Sequence, residues 1–177
     1  MKLKKIILLV IIIAAVYFFY WNTDFGAANQ KLKTLDGKYL NGVMPIEEKL
    51  NEYKTELGKL KNEYTFKGPS AEKNAINALI DMRLKTIELI DAQKDVDSKY
   101  KLLNAADADC KSIYFTDLIA AYDSWGAELD SITKMVSKFE KDFAQYKNDS
   151  YLNNLKDSMV GMKQGIGNQK QVLNENC

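Results

Sequence analysis

The stretch from Phe115 to Tyr146, FTDLIAAYDSWGAELDSITKMVSKFEKDFAQY, carries Phe115, Leu118, Tyr122, Trp125, Leu129, Ile132, Val136, Phe139, Phe143 and Tyr146 at alternating steps of three and four. That spacing lines all of these side chains along one stripe of a helix, as in a sustained heptad seam. The segments on either side repeat the pattern. Downstream, KNDS (Lys147 to Ser150) breaks the helix, and a fourth helix over 150–173 resumes with Leu152, Leu155, Met159, Met162, Ile166, Gln169 and Leu173. Upstream, Ile76, Leu79, Ile80, Leu84, Ile87, Ile90 and Tyr100 predict a helix over 71–103, thinner in its second half, where Lys94 and Asp97 take the next places. Ser70, at the end of the turn cluster TFKGPS, is its expected N-cap, and Asp107 or Asp109 is the expected cap of the third helix, over 110–147.

A first amphipathic stretch over 27–64 holds Leu32, Leu35, Tyr39, Val43, Ile46, Leu50, Tyr53, Leu57, Leu60 and Tyr64, interrupted by Gly42 and Pro45, so a kink or break is expected near 42–45. Short connections force sequential helices to lie side by side. The expected fold is therefore all-α: residues 27–177 form an antiparallel up-down-up-down four-helix bundle with coiled-coil-like packing. The rival is a helical hairpin that completes its core by oligomerising.

Residues 1–26 are of another kind. After MKLKK, Ile6 to Trp21 reads IILLVIIIAAVYFFYW, with no polar break other than tyrosine hydroxyls. At ~1.5 Å per residue, Leu3 to Trp21 spans close to the ~30 Å hydrocarbon core, which predicts an amino-terminal transmembrane helix. Lys4 and Lys5 would sit at the inner headgroups, and Tyr17, Tyr20 and Trp21, with Phe18 and Phe19 between them, at the outer interface. The lysines keep the amino terminus in the cytoplasm and put the bundle outside, in the periplasm or on the cell surface. Gly26 and Ala28 are spaced like positions -3 and -1 of a signal-peptidase site, so cleavage after Ala28 is the alternative; the aromatic end of the apolar run favours an uncleaved anchor.

Composition removes several function classes. The chain has no histidine, which takes away the commonest general base and metal ligand together. Arg83 is the only arginine, and the charge outside the amino-terminal lysines is slightly acidic, which is no footprint for nucleic acid. There is no G-x-x-x-x-G-K-S/T, no G-x-S-x-G and no Ser-His or Cys-His set. We expect no catalytic residue, no cofactor and no metal. A calcium loop starting at Asp107 fails at its sixth and twelfth positions, where Ser112 and Leu118 stand. Tyr39, Tyr53, Tyr64, Tyr122, Tyr146 and Trp125 read as core packing rather than a ligand groove. Gly161, Gly165 and Gly167 either allow close helix approach or make the fourth helix the least stable element.

Cys110 and Cys177 are the only cysteines. An antiparallel bundle brings them toward one end, which predicts a disulfide tying the tail to the membrane-proximal connection in an oxidising compartment; free thiols and bridges between protomers are the alternatives. Asn148, Asp149 and Ser150 form an N-x-S glycosylation acceptor at the turn expected farthest from the membrane, and also a plain turn with Asp149 or Ser150 as N-cap.

The expected function is non-enzymatic: a single-pass envelope protein whose bundle acts through contacts as a tether, spacer or interaction subunit. Its partners would be the membrane and another envelope protein, with homo-oligomers possible and no nucleic acid. A ligand-sensing bundle working through a partner protein is the second reading. A single amino-terminal span, a helical outer region, the mid-chain Cys110 and the ending NQKQVLNENC (Asn168 to Cys177) resemble the inner-membrane spanins of tailed phages. That resemblance implies envelope disruption during lysis and an extended coiled coil; the helix punctuation here departs from the latter, and no site residue carries over.

Overall fold

The computed structural model describes residues 9–15, 24–65, 70–106 and 112–175. Helix α1 covers 9–15, α2 Asp24–Tyr39, α3 Leu50–Thr65, α4 Ser70–Ala105, α5 Ile113–Asp142 and α6 Ser150–Glu175. The chain is all-helical, with helices packed on one another, apart from a two-stranded ladder of β1 (Leu40–Asn41) and β2 (Met44–Pro45). Among the described residues no helix is long and apolar enough to cross a membrane. Of the expected transmembrane segment only 9–15 falls among them, so the readings on Lys4, Lys5, Tyr17, Tyr20 and Trp21 lie outside the described residues.

The expected first helix over 27–64 is corrected. It is two helices of 16 residues each, about 24 Å long, folded back on each other. The reversal is a hairpin rather than a kink. Leu40 pairs with Pro45 and Asn41 with Met44, leaving Gly42 and Val43 as a two-residue loop. Gly42 has φ +67°, a left-handed conformation that suits the first central position of such a loop. The Ile46 N–H donates to the Tyr39 carbonyl at 2.8 Å and closes the turn, and a 3₁₀ turn over Glu47–Lys49 leads into α3. Tyr39 then stacks on Tyr53, and Lys31 reaches Glu63, which fixes α2 and α3 as antiparallel.

Among the described residues the bundle therefore has five helices after α1, not four. The extra reversal changes which connections share an end. Phe25, at the start of α2, stacks on Tyr146 with ring centroids 3.7 Å apart. Lys85 pairs with Glu128 and Lys99 with Asp117 between α4 and α5. Glu140 pairs with Lys156, Asp130 with Lys163 and Asp123 with Lys170 between α5 and α6. Both pairs of helices are antiparallel. The start of α2 thus lies at the end of the bundle that carries the α5–α6 connection, and the α4–α5 connection lies at the other. The up-down-up-down order expected from the sequence places these the other way round, because it has one reversal fewer before α4.

Helix α4 is central, which explains its weak apolar stripe. Ala75, Ile76, Leu79, Ile80, Met82, Arg83, Thr86, Ile87 and Leu89 are all buried, because α2 and α3 cover one side and α5 another. It continues to Ala105, with Val96 buried and Tyr100 exposed. The α5 seam is as expected in Leu118, Tyr122, Leu129, Ile132, Val136 and Phe139, all buried. The cap of α5 is Ser112, whose Oγ accepts from the Phe115 N–H at 3.3 Å, so the helix begins later than an Asp107 or Asp109 cap implies. Asp149 caps α6: its Oδ1 accepts from the Tyr151 N–H at 3.0 Å and the Leu152 N–H at 3.4 Å.

Candidate functional site

The only arginine of the chain sits on the core side of α4. Arg83 is fully buried, on the same face as Leu79 and next to Ile80, in a run that the apolar period would otherwise fill with a leucine or isoleucine. A lone buried guanidinium is costly, so its partners decide whether the fold tolerates it. Asp36 of α2 supplies both carboxylate oxygens: Nε donates to Oδ1 at 2.8 Å and one terminal nitrogen to Oδ2 at 2.6 Å, a bidentate, charge-assisted pair. The other terminal nitrogen donates to the Leu79 carbonyl at 3.0 Å.

Two tyrosines complete the cluster from two further helices. The Tyr53 hydroxyl, from α3, donates to Asp36 Oδ1 at 2.9 Å. The Tyr151 ring, from α6, lies against the guanidinium with its centroid 3.8 Å from the central carbon, in cation–π contact. Thr86 donates to the Arg83 carbonyl at 2.7 Å, and the Tyr151 hydroxyl beside it makes no hydrogen bond of good geometry. One polar cluster thereby joins α2, α3, α4 and α6.

The electrostatics follow from burial. Desolvation is the strongest single influence on Arg83 and works against its charge; the hydrogen bonds to Asp36, together with the electrostatic attraction of Tyr151, Asp36 and Tyr53, outweigh it and hold its pKa above the ordinary value. Burial raises Tyr53, reinforced by the Asp36 charge. Burial pushes Tyr151 up to about 12, with Arg83 opposing. The cluster keeps its arginine charged and its tyrosines neutral across the physiological range. Its guanidinium is enclosed and its donors are directed inward, so the arrangement joins helices and presents nothing to a substrate.

Two surface grooves lie between helices. One, of about 600 Å³, runs between α2 and α3 over Ala27, Leu35 and Leu60, with Lys31–Glu63 and Lys59–Glu56 ion pairs on its rim. The other, of about 500 Å³, lies between α5 and α6 over Tyr122, Gly126, Ala127, Ile166 and Gly167, edged by the Asp123–Lys170 and Asp130–Lys163 pairs. Neither brings a nucleophile to a base. Among the described residues no group of three or more acidic or sulfur side chains could hold a metal ion.

Of the residues singled out from sequence, Asn148 is exposed in the turn before α6, at the end of the bundle that carries Phe25 and not the opposite one. Cys110 and Cys177, and Asp107 and Asp109, lie outside the described residues. Tyr39, Tyr53, Tyr64 and Tyr122 are buried, and Trp125 and Tyr146 half-buried, all packed in the core. Gly161, Gly165 and Gly167 have nothing within 4 Å of where a Cβ would stand, so close helix approach does not account for them. The cluster of Arg83 and Asp36 has no motif in the sequence. Its one signal was available: the single arginine of a lysine-rich chain occupies an apolar-stripe position.

No family model, curated protein or solved structure matches the chain.

Proposed function

We propose that the chain is a single-pass membrane protein whose helical bundle works by contact, as a tether, spacer or interaction subunit of a cell envelope. The observation that carries this reading is α1. Leu9, Val10, Ile11, Ile12 and Ile13 of that helix are each at least half exposed, a lateral apolar surface that water does not tolerate and lipid does. In the sequence the apolar run continues to Trp21, and Leu3 to Trp21 would as a helix be close to membrane-spanning length. The Arg83 cluster supports a mechanical rather than a catalytic role, because its polar groups are spent on joining four helices.

The arrangement of α2 weighs against cleavage after Ala28. Ala28 is fully buried within α2, and Phe25 is stacked on Tyr146, so cutting there removes packed core. A cysteine pair is compatible with the register of α5 and α6. The Asp123–Lys170 and Asp130–Lys163 pairs set Glu175 level with residue 118, about 9 Å along the axis from Ser112 at ~1.5 Å per residue. Two residues of chain beyond each of these positions can cover that gap and the interhelix spacing, at ~3.3 to 3.6 Å per residue.

The test is alkaline carbonate extraction of membranes from cells expressing the full chain, with intact-mass measurement of the retained protein. Retention at a mass that includes the amino-terminal segment supports an anchor. Release into the supernatant, or a mass beginning at Asn29, overturns it.

A further inference from the structure

Asn41 is the only asparagine of the chain followed by glycine, and Asp36 the only aspartate. Both dipeptides are open to the same chemistry, in which the backbone nitrogen of the next residue attacks the side-chain carbonyl carbon. Glycine at that next position leaves the approach clear, because it has no Cβ to crowd the ring that forms. The fold treats the two sites in opposite ways. Asp36 lies inside α2 with its side chain largely buried and both oxygens bonded, Oδ1 to Arg83 and Tyr53 and Oδ2 to Arg83. The Gly37 N–H belongs to the helical ladder, tied to the carbonyl four residues back. Neither electrophile nor nucleophile is free there. Asn41, beside the hairpin loop, has the reverse properties. Its side chain is exposed and makes no hydrogen bond. The Gly42 N–H donates to no other backbone group, and nothing stands within 4 Å of where a Gly42 Cβ would be. The ladder that restrains Asn41 has two residues in each strand, so it opens at little cost.

We propose that Asn41 is a site of spontaneous covalent modification, converted to isoaspartate and aspartate with water as the co-reactant, and that the isoaspartyl product loosens the hairpin. Solvent hydroxide takes the Gly42 amide proton, and the nitrogen attacks Asn41 Cγ. A C–N bond forms, the Cγ–Nδ2 bond breaks, and ammonia leaves with a proton taken from water; the product is a five-membered succinimide. Water then opens the ring at either carbonyl. Breaking the bond from the Gly42 nitrogen to Cγ gives aspartate. Breaking its bond to the main-chain carbonyl carbon gives isoaspartate, with the main chain now running through the side-chain carboxyl. Nothing is oxidised or reduced. The two products differ in consequence. Aspartate adds only a charge to an exposed residue, whereas isoaspartate inserts a methylene into a main chain whose register depends on loop length. The Asn41–Met44 pair and the bond from the Ile46 N–H to the Tyr39 carbonyl then cannot both keep their geometry. Because Val43 is buried and Tyr39 stacks on Tyr53, the mismatch reaches the α2–α3 packing.

The test holds the full chain, folded in detergent micelles, at mildly alkaline pH beside a sample unfolded in urea. Both are digested and read by mass spectrometry with electron-transfer fragmentation, which separates isoaspartate from aspartate. Asn41 is expected to take up the amide-to-acid mass change at least about tenfold faster than any other asparagine of the folded chain, and within about tenfold of its own rate in urea. Asp36 is expected to remain aspartate in the folded chain. A folded-state rate for Asn41 below that window, another asparagine reacting as fast, or isoaspartate at Asp36 in the folded chain overturns the assignment. Gly42→Ala loosens the hairpin, which alone speeds the reaction, yet its new Cβ obstructs the attack, so the rate is expected to fall severalfold; an equal or higher rate also overturns it. For the effect on the hairpin, the isoaspartyl form is separated and compared with Asn41→Asp, which keeps the main chain intact. Hydrogen exchange over 39–46 is expected to be at least about fivefold faster in the isoaspartyl form, and equal exchange in the two overturns that part.

Discussion

Arg83 on α4 and Asp36 on α2, 47 residues apart in the chain, meet through two hydrogen bonds of 2.8 and 2.6 Å with the arginine wholly out of solvent. Because the pair is enclosed, its two members are worth more together than apart. Arg83→Ala strands a largely buried carboxylate and the Tyr53 hydroxyl bound to it, and is expected to cost about 3 to 5 kcal/mol. Arg83→Met combined with Asp36→Leu, which removes both charges and keeps the volume, is expected to cost much less than Arg83→Met alone. Urea denaturation of the single and double variants measures the coupling; additive losses would show that the pair contributes no interaction energy.

Two glycines give opposite signs. Gly42 is held at φ +67° in the hairpin loop, so Gly42→Ala is expected to destabilise by about 1 to 2 kcal/mol although nothing crowds the new methyl. Gly58 lies inside α3, with no atom near its Cβ position, and Gly58→Ala is expected to stabilise by up to about 1 kcal/mol. Thermal unfolding of both variants checks the pair; a shift of the same sign in each would contradict the hairpin.

Alkaline pH reaches the tyrosines around the arginine. Burial raises Tyr151 to about 12 and raises Tyr53 as well. In the unfolded chain these hydroxyls ionise near pH 10, so between that pH and the folded value the unfolded state has lost protons that the folded state keeps. The contribution of these tyrosines to stability is therefore expected to be level below about pH 9 and to fall from about pH 10 toward 12, Tyr151 accounting for on the order of 2 to 3 kcal/mol of that loss. Tyr151→Phe removes a buried hydroxyl without a well-formed hydrogen bond, so near pH 7 it is expected to be neutral or mildly stabilising while the alkaline fall becomes shallower. Chemical denaturation at several pH values separates the two effects.

The α6 cap is a further point of control. Asp149 is buried and accepts from two backbone N–H groups at the helix start, and Asp149→Ala is expected to cost about 1 to 2 kcal/mol. Asn148→Gln removes the glycosylation acceptor from an exposed side chain and is expected to leave the unfolding midpoint of unglycosylated protein unchanged. Equal losses from the two variants would mean that the cap geometry is wrong.

The helical seams were legible because their period is read one helix at a time: Leu118 to Phe139 on α5, and Leu152 to Met159 on α6, are buried as the three-four spacing requires. The reversal at Gly42 was not, because Tyr39, Val43 and Ile46 keep the same helical spacing through the turn and conceal it. Asn41-Gly42 was the available clue, as a dipeptide favoured in two-residue hairpins. Met82 and Leu89 fell off the stripe chosen for α4 because a helix covered on several sides has no single apolar face. Asp36 was invisible for a different reason: on α2 alone it reads as a solvated acid, and only its meeting with Arg83 across 47 residues gives it a role.

The hairpin at 40–45 also fixes how the bundle would carry load. With that reversal counted, the described part of the bundle after α1 begins at one pole, where Phe25 lies, and ends at the other with Glu175. Tension applied through the two ends runs along the helix axes and sets neighbouring helices sliding past one another, so many side-chain contacts resist at once. Had the chain entered and left at the same pole, the same pull would peel helices apart contact by contact. The glycine-bearing half of α6 is then the first seam to slip, and the four-helix junction at Arg83 the last.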